Sequence, residues 1–544
     1  MSLLLPVAIG CSAFFAAISA ALPAARPAGP AIGGATDASY IDASVRIDGL
    51  LLDWAFVDIE ADGATELAVS VRTLRGKREL HLHRMTRKSI EPEPFRVIPI
   101  LKDIIAWTVA DVRSDLEGNE LVLLTRQGAW SFDPRKTEYK GNIEKLCETN
   151  LLYDVPDPRA LPYWEYVLDG GEGPDMLLLP QRGGFRIFGK APGQPAVKPG
   201  QLPWRALSTF QGSSTKAVND PQDRKRRAAA AKRESEQREA RLSVTIGDAM
   251  RPFLGTGDSG SLLNDSFRIQ APALVDIDRD GRRDMLVLDG DQLRVHLAGA
   301  SGIPREPSRV EQLPDFLKHN DVPSALRLVD VNGDGLVDVL GIWSEPIDGP
   351  ENAEWRIYVM LSKPGRLLPP EPQQVLRFTA AELRTTVTDV DGDGRPDLAV
   401  RSFELPSVLE TVTGLEFKYS QLLYLGEKRG TFSRRPALKQ ERTFDEQSVS
   451  EVLANRVLRM DCSGDGIADL VEVNLAGEVG VRRLRKESSF FSGDSWTIDD
   501  GYWKQYAGRG SVTSLSVMDL NKDGLGDIVS GSDSVLTVYL SQER

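Results

Sequence analysis

Cysteine and histidine are scarce in this chain, whose 544 residues include three cysteines and four histidines. So few cysteines exclude a disulfide scaffold, and we expect Cys147 and Cys462 to be buried or free thiols. The sequence also lacks a His-Glu-x-x-His helix, a Gly-x-Ser-x-Gly elbow and a phosphate-binding loop. These are the short signatures of metalloproteases, esterases and nucleotide-binding enzymes, so their absence leaves catalysis with little support.

Basic residues are outnumbered by acidic ones, and the formal net charge is −13. We therefore expect no nucleic-acid partner.

Long apolar runs are confined to the N-terminus. Residues 1–25 resemble a signal peptide with an Ala-x-Ala-like exit, and 26–37 form a linker. Because no Lys or Arg precedes the apolar stretch, a retained membrane anchor and a lipoprotein box ending at Cys11 are alternatives. The prediction is a secreted, periplasmic or cell-surface protein without an integral membrane segment beyond this leader.

The second half of the chain repeats a nine-residue motif five times: Asp, any, Asp/Asn/Ser, any, Asp, Gly, any, any, Asp. Alternating short oxygen side chains, a turn glycine and a closing carboxylate are typical of a loop that binds a hard cation such as Ca²⁺. Positions 1, 3, 5 and 9 supply side-chain ligands in this hypothesis, and position 7 supplies a backbone carbonyl. The predicted metal ligands are Asp276, Asp278, Asp280 and Asp284; Asp330, Asn332, Asp334 and Asp338; Asp389, Asp391, Asp393 and Asp397; Asp461, Ser463, Asp465 and Asp469; and Asp519, Asn521, Asp523 and Asp527.

The segments around each motif alternate in polarity and are rich in β-branched residues, which predicts strand, loop, strand and excludes an EF-hand. The motif recurs at intervals of roughly 60 residues, enough for a four-stranded unit, and this favours an all-β propeller. Weaker copies of the loop begin at Asp58, Asp111 and Asp169. We expect these three to bind metal weakly or not at all, with the Asp58 loop the most probable exception.

Counting the weaker copies predicts an eight-bladed β-propeller of four-stranded blades over residues 38–544, with seven blades as the alternative. The last unit lacks a fourth strand, and the strand-like segment 40–47 has no other place. If this segment paired with the last unit as its fourth strand, it would close the ring and remove an open sheet edge.

These loops and strands resemble the FG-GAP/VCBS repeat family, the calcium-binding propeller repeats of integrin α-subunits and many bacterial extracellular proteins. The Phe-Gly…Gly-Ala-Pro strand signature is nearly absent, with only Gly183 to Gly189 similar to it, so the chain is closer to the bacterial VCBS type. The resemblance implies calcium as cofactor and a non-catalytic binding platform. It names no ligand, because one fold hosts many functions.

Two segments interrupt the strand pattern. Residues 212–241 are rich in alanine and charge and predict one helical insertion, either a solvated excursion or a basic docking arm for an acidic partner. Residues 136–149 are predicted to contain a short helix.

The function we predict from these features is an exported, calcium-stabilised binding or adhesion module for a protein or glycan, and not an enzyme. The alternative is a carbohydrate-active enzyme such as a polysaccharide lyase, for which no catalytic constellation is evident. His81 and His83 share one strand face and are predicted to be surface residues; the alternative is a transition-metal site or an acid–base pair. Trp496, Tyr502 and Trp503 are the candidates for stacking on sugar rings.

Overall fold

The computed structural model describes residues 39–151, 160–168, 170, 173–181, 184–190, 202–211, 272–289, 291–300, 302–317, 325–346, 353–404, 416–445, 456–474, 477–489, 493–507 and 512–542. The predicted signal peptide (1–25), the linker (26–37) and the helical insertion (212–241) lie outside these residues. Within the described ranges, no helix has the length and apolar character needed to cross a bilayer.

Eight four-stranded antiparallel sheets form the blades of a β-propeller. Strand β1 (Ser39–Arg46) belongs to the last blade, and the other strands follow in chain order. Blades 1 to 3 consist of β2–β5 (Gly49–Val57, Glu66–Thr73, Arg78–Arg84, Arg96–Ile100), β6–β9 (Ile104–Ala110, Glu120–Thr125, Gly128–Phe132, Ile143–Glu148) and β10–β13 (Val167–Leu168, Met176–Gln181, Gly184–Gly189, Arg205–Gln211).

Blades 4 and 5 consist of β14–β17 (Ala273–Val275, Asp284–Asp289, Gln292–His296, Arg309–Gln312) and β18–β21 (Ala325–Val329, Asp338–Pro346, Ala353–Met360, Gln374–Ala380). Blade 6 contains β22 (Glu382–Thr388), β23 (Asp397–Glu404), β24 (Glu416–Tyr424) and β27 (Leu438–Asp445), with a small hairpin of β25 (Gly426–Glu427) and β26 (Thr431–Phe432). Blade 7 contains β28 (Arg456–Leu458), β29 (Leu470–Val473), β30 (Val479–Arg482) and β33 (Lys504–Tyr506), with a hairpin of β31 (Leu484–Ser489) and β32 (Gly493–Ile498). Blade 8 contains β34 (Val512–Met518), β35 (Asp527–Ser532), β36 (Val535–Gln542) and β1.

The position of a strand within its blade explains its sequence pattern. Second strands lie inside their sheets and between neighbouring blades, so both of their faces are covered. Accordingly β7, with the sequence ELVLLT, is buried along its whole length, as an apolar run predicts. The outer strand β21, QVLRFTA, instead alternates between buried and more exposed residues. The apolar core lies largely between blades, as where Trp107 and Phe132 of blade 2 pack with Leu80 and Ile98 of blade 1.

The N-terminal strand closes the ring, as predicted. Strand β1 pairs antiparallel with β36 in an unbroken register from Ser39↔Gln542 to Arg46↔Val535. The hydroxyl of Tyr40 lies 2.7 Å from the carbonyl oxygen of Cys462 and 2.8 Å from that of Gly526. This first strand therefore ties blade 8 to blade 7 and covers an edge that would otherwise be open. The prediction of eight blades is confirmed, and the alternative of seven is wrong.

The meander in each blade sorts its connections onto two faces of the propeller. Connections from first to second strand lie on one face, here called the loop face, which carries all the predicted metal loops. Connections from second to third strand, and from each blade to the next, lie on the opposite face, here called the crossover face. The predicted insertion 212–241 falls between β13 and β14, so its described attachment points lie at the crossover face.

Two local predictions about the N-terminal half are wrong. Residues 136–149 contain strand β9 in place of a short helix, because the fourth edge of blade 2 needs a strand to complete it. His83 is buried at 1 % exposure and is not a surface residue. The prediction for the thiols is confirmed, because Cys147 and Cys462 are both buried and free. Apart from the 3-10 turn Asp315–Leu317, the described part of the chain contains only strands, turns and loops.

Candidate metal centre

All five predicted metal loops have the same internal hydrogen bonds. In each loop, the position-6 glycine donates its backbone N–H to one carboxylate oxygen of the position-1 aspartate, over 2.7–3.0 Å. The position-5 aspartate accepts the N–H of position 7 over 2.8–3.0 Å. These bonds curl the backbone around the carboxylates at positions 1, 3 and 5. The repeated motif therefore encodes a repeated geometry as well as a repeated composition.

The sharp turn in each loop uses left-handed backbone at two positions. The position-6 glycines have φ between 84° and 93°, a region that costs residues with a Cβ about 1–2 kcal/mol. Position 4 is left-handed as well, including at two residues that are not glycine, Arg279 and Lys522, both with φ of 61°. A residue keeps such an unfavourable backbone conformation when the hydrogen bonds around it hold it in place.

The position-9 aspartate is the buried centre of each loop. Asp284, Asp338, Asp397, Asp469 and Asp527 are at most 1 % exposed. One oxygen of each accepts the N–H of position 2 over 2.6–2.9 Å. In four loops, the other oxygen accepts an N–H from a residue within two positions of the end of the third strand, over 2.6–2.7 Å. This carboxylate thus joins three strands of one blade.

Burial raises the pKa of every position-9 carboxyl. The pKa rises to about 6 in Asp284, Asp338 and Asp527 and to about 7 in Asp397, with backbone hydrogen bonds opposing the effect of burial. In Asp469 burial and repulsion from Asp461 and Asp465 raise it to about 8. A nearby cation favours the ionised form of a carboxyl group. A cation bound in these loops would therefore oppose the effect of burial on the position-9 carboxyls.

Two loops bring three carboxylates together closely enough to share one ion. Ligand oxygens of Asp276, Asp278 and Asp284 lie within 4.8 Å of one another, as do those of Asp389, Asp391 and Asp397. These are positions 1, 3 and 9 of the motif. In the other three strong loops, position 3 is Asn or Ser, so fewer charges converge there.

The loop of blade 7 contains buried polar atoms that lack a partner among the described residues. Asp469 Oδ1 and Ser463 Oγ make no hydrogen bond of good geometry there, although both residues are only 1 % exposed and the Ser463 hydroxyl is close enough to lower the pKa of Asp469. Such atoms cost free energy unless something satisfies them. A hard cation held by oxygen ligands would satisfy both, so the donor set of this loop fits calcium.

Arginine side chains already occupy some of these carboxylates. Arg282 pairs with Asp280 in blade 4, and Arg395 pairs with Asp393 in blade 6. Between blades, Arg279 Nη2 lies 2.6 Å from Asp330 Oδ2. These guanidinium groups partly neutralise the negative charge of the loops, and they would have to move away from the carboxylates if a cation bound there.

The loop that begins at Asp58 has the same framework as the five strong loops. Gly63 donates to Asp58 over 2.9 Å, Ala64 donates to Asp62 over 2.8 Å, and Ile59 donates to Glu66 over 2.8 Å. Glu66 therefore takes the place of the position-9 aspartate. The glutamate side chain is one methylene longer than that of aspartate, yet it makes the same hydrogen bond to the backbone of position 2.

The other two weak loops depart from the pattern. In blade 2, Glu120 takes the position-9 role by accepting the N–H of Val112 over 2.8 Å. Arg113 fills the place of a ligand and pairs with Asp115 at 2.6 Å and Glu144 at 3.3 Å. In blade 3, Asp169 lies outside the described residues.

Sequence reasoning also missed a residue that completes the loop of blade 8. Ser541, at the end of β36, is fully buried and donates its hydroxyl towards Asp523 and Asp527 over 2.8–3.1 Å. Its distance along the chain from the motif hides this role, and only the pairing of β35 with β36 brings it there.

The aromatic residues predicted to stack on sugars do not form an exposed platform. Trp496 is buried at 4 % exposure among apolar residues between blades 6 and 7. Tyr502 donates its hydroxyl to Glu472 over 3.0 Å, and Trp503 packs edge-on against Tyr40. The prediction is therefore wrong for Trp496, which fills an inter-blade core.

Residues 330–400, which span the metal loops of blades 5 and 6, match the FG-GAP-like repeat. No curated protein matches the chain. Among solved structures, 195 chains match. One comes from the crystal structure of BBS1N in complex with ARL6DN, soaked with lead; the match has a TM-score of 0.33 and 8% sequence identity, and covers 93% of this chain and 97% of that chain. The eight blades show that this chain is a β-propeller, and part of its sequence, in blades 5 and 6, is similar to the FG-GAP-like repeat.

Proposed function

We propose that this protein is an exported, calcium-stabilised β-propeller that binds a protein or a glycan without catalysing a reaction. The observation that carries the metal part is the hydrogen-bond framework that six loops share, two of which bring three carboxylates within 4.8 Å of one another. A propeller with FG-GAP-like repeats is consistent with a binding or adhesion module.

Calcium would supply positive charge among the aspartates and join the ends of the first two strands in a blade. The chain's own residues prepare the site. Position 9 fixes the start of the second strand, position 1 holds the turn, and in two loops oxygens of positions 1, 3 and 9 lie within 4.8 Å of one another. Without a cation, the clustered carboxylates repel one another at neutral pH and weaken the loop.

Calcium stoichiometry tests the metal part of the proposal. We expect the purified mature protein to retain close to one calcium ion per strong loop, as measured by elemental analysis after gel filtration. Asp393→Ala should lower the count by one and reduce the melting temperature. The control is Asp48→Ala, which removes an exposed aspartate outside the loops and should change neither quantity. An unchanged calcium count in Asp393→Ala would contradict the assignment of that loop.

Two further measurements address binding and export. Native gels with neutral and acidic polysaccharides, run with calcium and with chelator, should show calcium-dependent retardation without unsaturated cleavage products. If no polysaccharide retards the protein, affinity capture should find a protein partner, whereas cleavage products would show that the protein is an enzyme.

N-terminal sequencing of the mature protein should place its first residue near position 26, and an intact leader on a soluble protein would argue against export.

A further inference from the structure

Blade 1 exposes two leucine side chains on the crossover face. Leu74 lies in the connection from β3 to β4, and at 89 % it is the most exposed of the five large apolar side chains that are exposed in the described part of the chain. Leu101 directly follows β5 and is 49 % exposed. Strand β4 pairs with both β3 and β5, so only one strand separates the two leucines. They therefore lie at the same end of the same blade.

The backbone around Leu74 forms a defined turn. Thr73 donates its N–H to the carbonyl oxygen of Lys77 over 2.8 Å, and Gly76 donates to that of Thr73, also over 2.8 Å. Gly76 has a left-handed φ of 76°, a conformation that glycine adopts without steric cost. These bonds hold Leu74 at the tip of a hairpin, where its side chain projects into solvent.

Basic side chains surround the two leucines. We call them together the basic patch, which consists of these leucines and five cations: Arg72, Arg75, Lys77, Arg78 and Lys102. Arg78 donates to the carbonyl oxygen of Leu101 over 2.7 Å, which joins the hairpin to the end of β5. Within the described part of the chain, none of the five cations forms an ion pair. Their charges are therefore available to an anionic partner.

The basic patch keeps an excess of positive charge after its acidic neighbours are counted. Asp103 follows the patch along the chain, Asp48 precedes β2, and both are exposed on the crossover face. Five cations and two carboxylates leave an excess of three positive charges. Arg126, in the turn between β7 and β8 of blade 2, is exposed on the same face and adds to this excess.

The predicted metal loops lie far from the basic patch. Strand β3 contains eight residues, and at about 3.3 Å per residue it separates the hairpin tip from the loop face by about 26 Å. Charges at a surface are largely screened beyond about 8 Å at physiological salt. The basic patch can therefore attract an anionic surface in a protein whose net charge is −13.

We propose that the basic patch binds the surface of a membrane that contains anionic lipids. In this contact Leu74 inserts among the lipid headgroups, and the five cations lie against the lipid phosphates. Apolar side chains that enter the headgroup region, with Lys and Arg around them, are typical of proteins that lie on a membrane without spanning it. The proposal goes beyond the proposed binding function, because it adds a second contact on the face opposite the metal loops.

The composition of the basic patch favours a membrane over other anionic partners. Protein interfaces are enriched in aromatic residues and depleted in lysine, and leucine is rarely a dominant contact in them. The basic patch contains no aromatic residue, and Leu74 stands on a convex tip. An acidic polysaccharide would contact the cations but would leave both leucines in water. A lipid surface accommodates both kinds of side chain.

Vesicle flotation of the mature protein, freed of unbound calcium by gel filtration, tests this inference. The probe vesicles contain phosphatidylcholine and phosphatidylglycerol, and the comparison vesicles contain phosphatidylcholine alone. We expect the protein to float with the mixed vesicles and to be released as salt is added, while it stays unbound with the neutral ones. No flotation with the mixed vesicles would overturn the proposal. Flotation only after calcium is added would mean that calcium bridges the loop face to the lipids, and would overturn it as well.

Soluble polyanions separate a membrane from the other anionic partners. Polyglutamate represents an acidic protein, and polyglucuronate represents an acidic polysaccharide. Neither can receive an inserted leucine, so we expect both to displace the protein from the mixed vesicles only weakly. Complete displacement by either polymer at a concentration of negative charge equal to that of the vesicles would overturn the membrane assignment.

Substitutions locate the contact in the basic patch. Leu74→Ser should weaken binding to the mixed vesicles about tenfold, because it removes the inserted apolar side chain. Lys77→Ser should weaken it about fivefold through the loss of one charge near the lipid surface. The matched controls are Val310→Ser, an apolar residue of blade 4 that is 47 % exposed, and Lys428→Ser, an exposed lysine of blade 6 on the loop face. All four side chains are exposed, so the variants should melt as wild type does. Equal losses in the controls, or no loss in Leu74→Ser, would refute the proposal.

A fluorescent label reports which face meets the lipid. Cys147 and Cys462 are buried, so a polarity-sensitive dye should react with a thiol introduced by Leu74→Cys or, as the control, by Lys428→Cys. On addition of mixed vesicles, the emission of the dye should shift to the blue in Leu74→Cys and stay unchanged in Lys428→Cys. The reverse result would place the loop face against the membrane and refute the proposal.

Discussion

The position-9 aspartate should stabilise its blade even in the absence of metal, and Asp397→Asn tests this directly. The wild-type carboxylate accepts the N–H of Val390 over 2.9 Å at one oxygen and that of Gly426 over 2.7 Å at the other. An asparagine keeps only one acceptor oxygen. The NH₂ group of the asparagine then faces one of these two backbone N–H groups. Because both are donors, they cannot form a hydrogen bond with each other.

The expected loss follows from that mismatch. One buried backbone N–H is left without an acceptor, which costs about 1–3 kcal/mol. The matched control is Asp393→Asn, because position 5 is partly exposed, and its remaining carbonyl oxygen can still accept the N–H of Arg395, which lies 2.9 Å from the wild-type Oδ1. Losing the ion pair of Asp393 with Arg395 at the surface costs at most about 1 kcal/mol.

Urea unfolding in chelator and in calcium gives the four measurements needed. In chelator, Asp397→Asn should unfold at a clearly lower midpoint than wild type, while Asp393→Asn stays close to it. In calcium, both variants should lose part of the stabilisation that the metal gives wild type. If Asp397→Asn unfolded in chelator at the wild-type midpoint, the aspartate would be a metal ligand only, and the reasoning from its hydrogen bonds would be refuted.

Three other substitutions test further features of the fold. Gly394→Ala should cost about 1–2 kcal/mol because φ is 84° there, whereas Gly501→Ala, which also meets no neighbouring atom, should be nearly neutral in the same denaturation assay. Tyr40→Phe removes the hydroxyl between blades 7 and 8 and should lower the free energy of unfolding by about 1 kcal/mol; no change would show that ring closure does not use this contact. Burial lowers the pKa of His83 to about 4 from an ordinary 6.5, so its contribution is present above pH 6.5 and is lost as the pH falls towards 4. In His83→Phe, the loss of unfolding free energy between pH 6.5 and pH 4 should therefore be smaller than in wild type by up to about 3 kcal/mol. If the unfolding free energy depended on pH equally in both proteins, His83 would not be a buried, neutral imidazole.

The repeated motif made the loops and their strands predictable, because each loop is local in sequence. The turn glycine, the position-1 aspartate and the flanking strands lie within a few residues of one another, so short-range hydrogen bonds define them. The burial of Trp496 could not be predicted from local sequence in this way. It lies in a polar stretch of sequence, yet the hairpin of β31 and β32 carries it into the core between blades 6 and 7.

Strand β9 shows the same limit at the level of secondary structure. Local sequence over 136–149 suggested a helix, but pairing with β8 determines a strand there. An outer strand is specified by its neighbour, and the neighbour's backbone donors and acceptors are not visible in the local sequence.

The sequence by itself determined the repeat, the strand–loop–strand units, the eight blades and the closing N-terminal strand, because periodic motifs and alternating polarity are read within single units. Only the tertiary structure decided which residues meet between units. It placed Ser541 against the loop of blade 8 and carried Trp496 into the core between blades 6 and 7. These contacts join residues that are distant along the chain, and packing between neighbouring blades, which no local pattern records, brings them together.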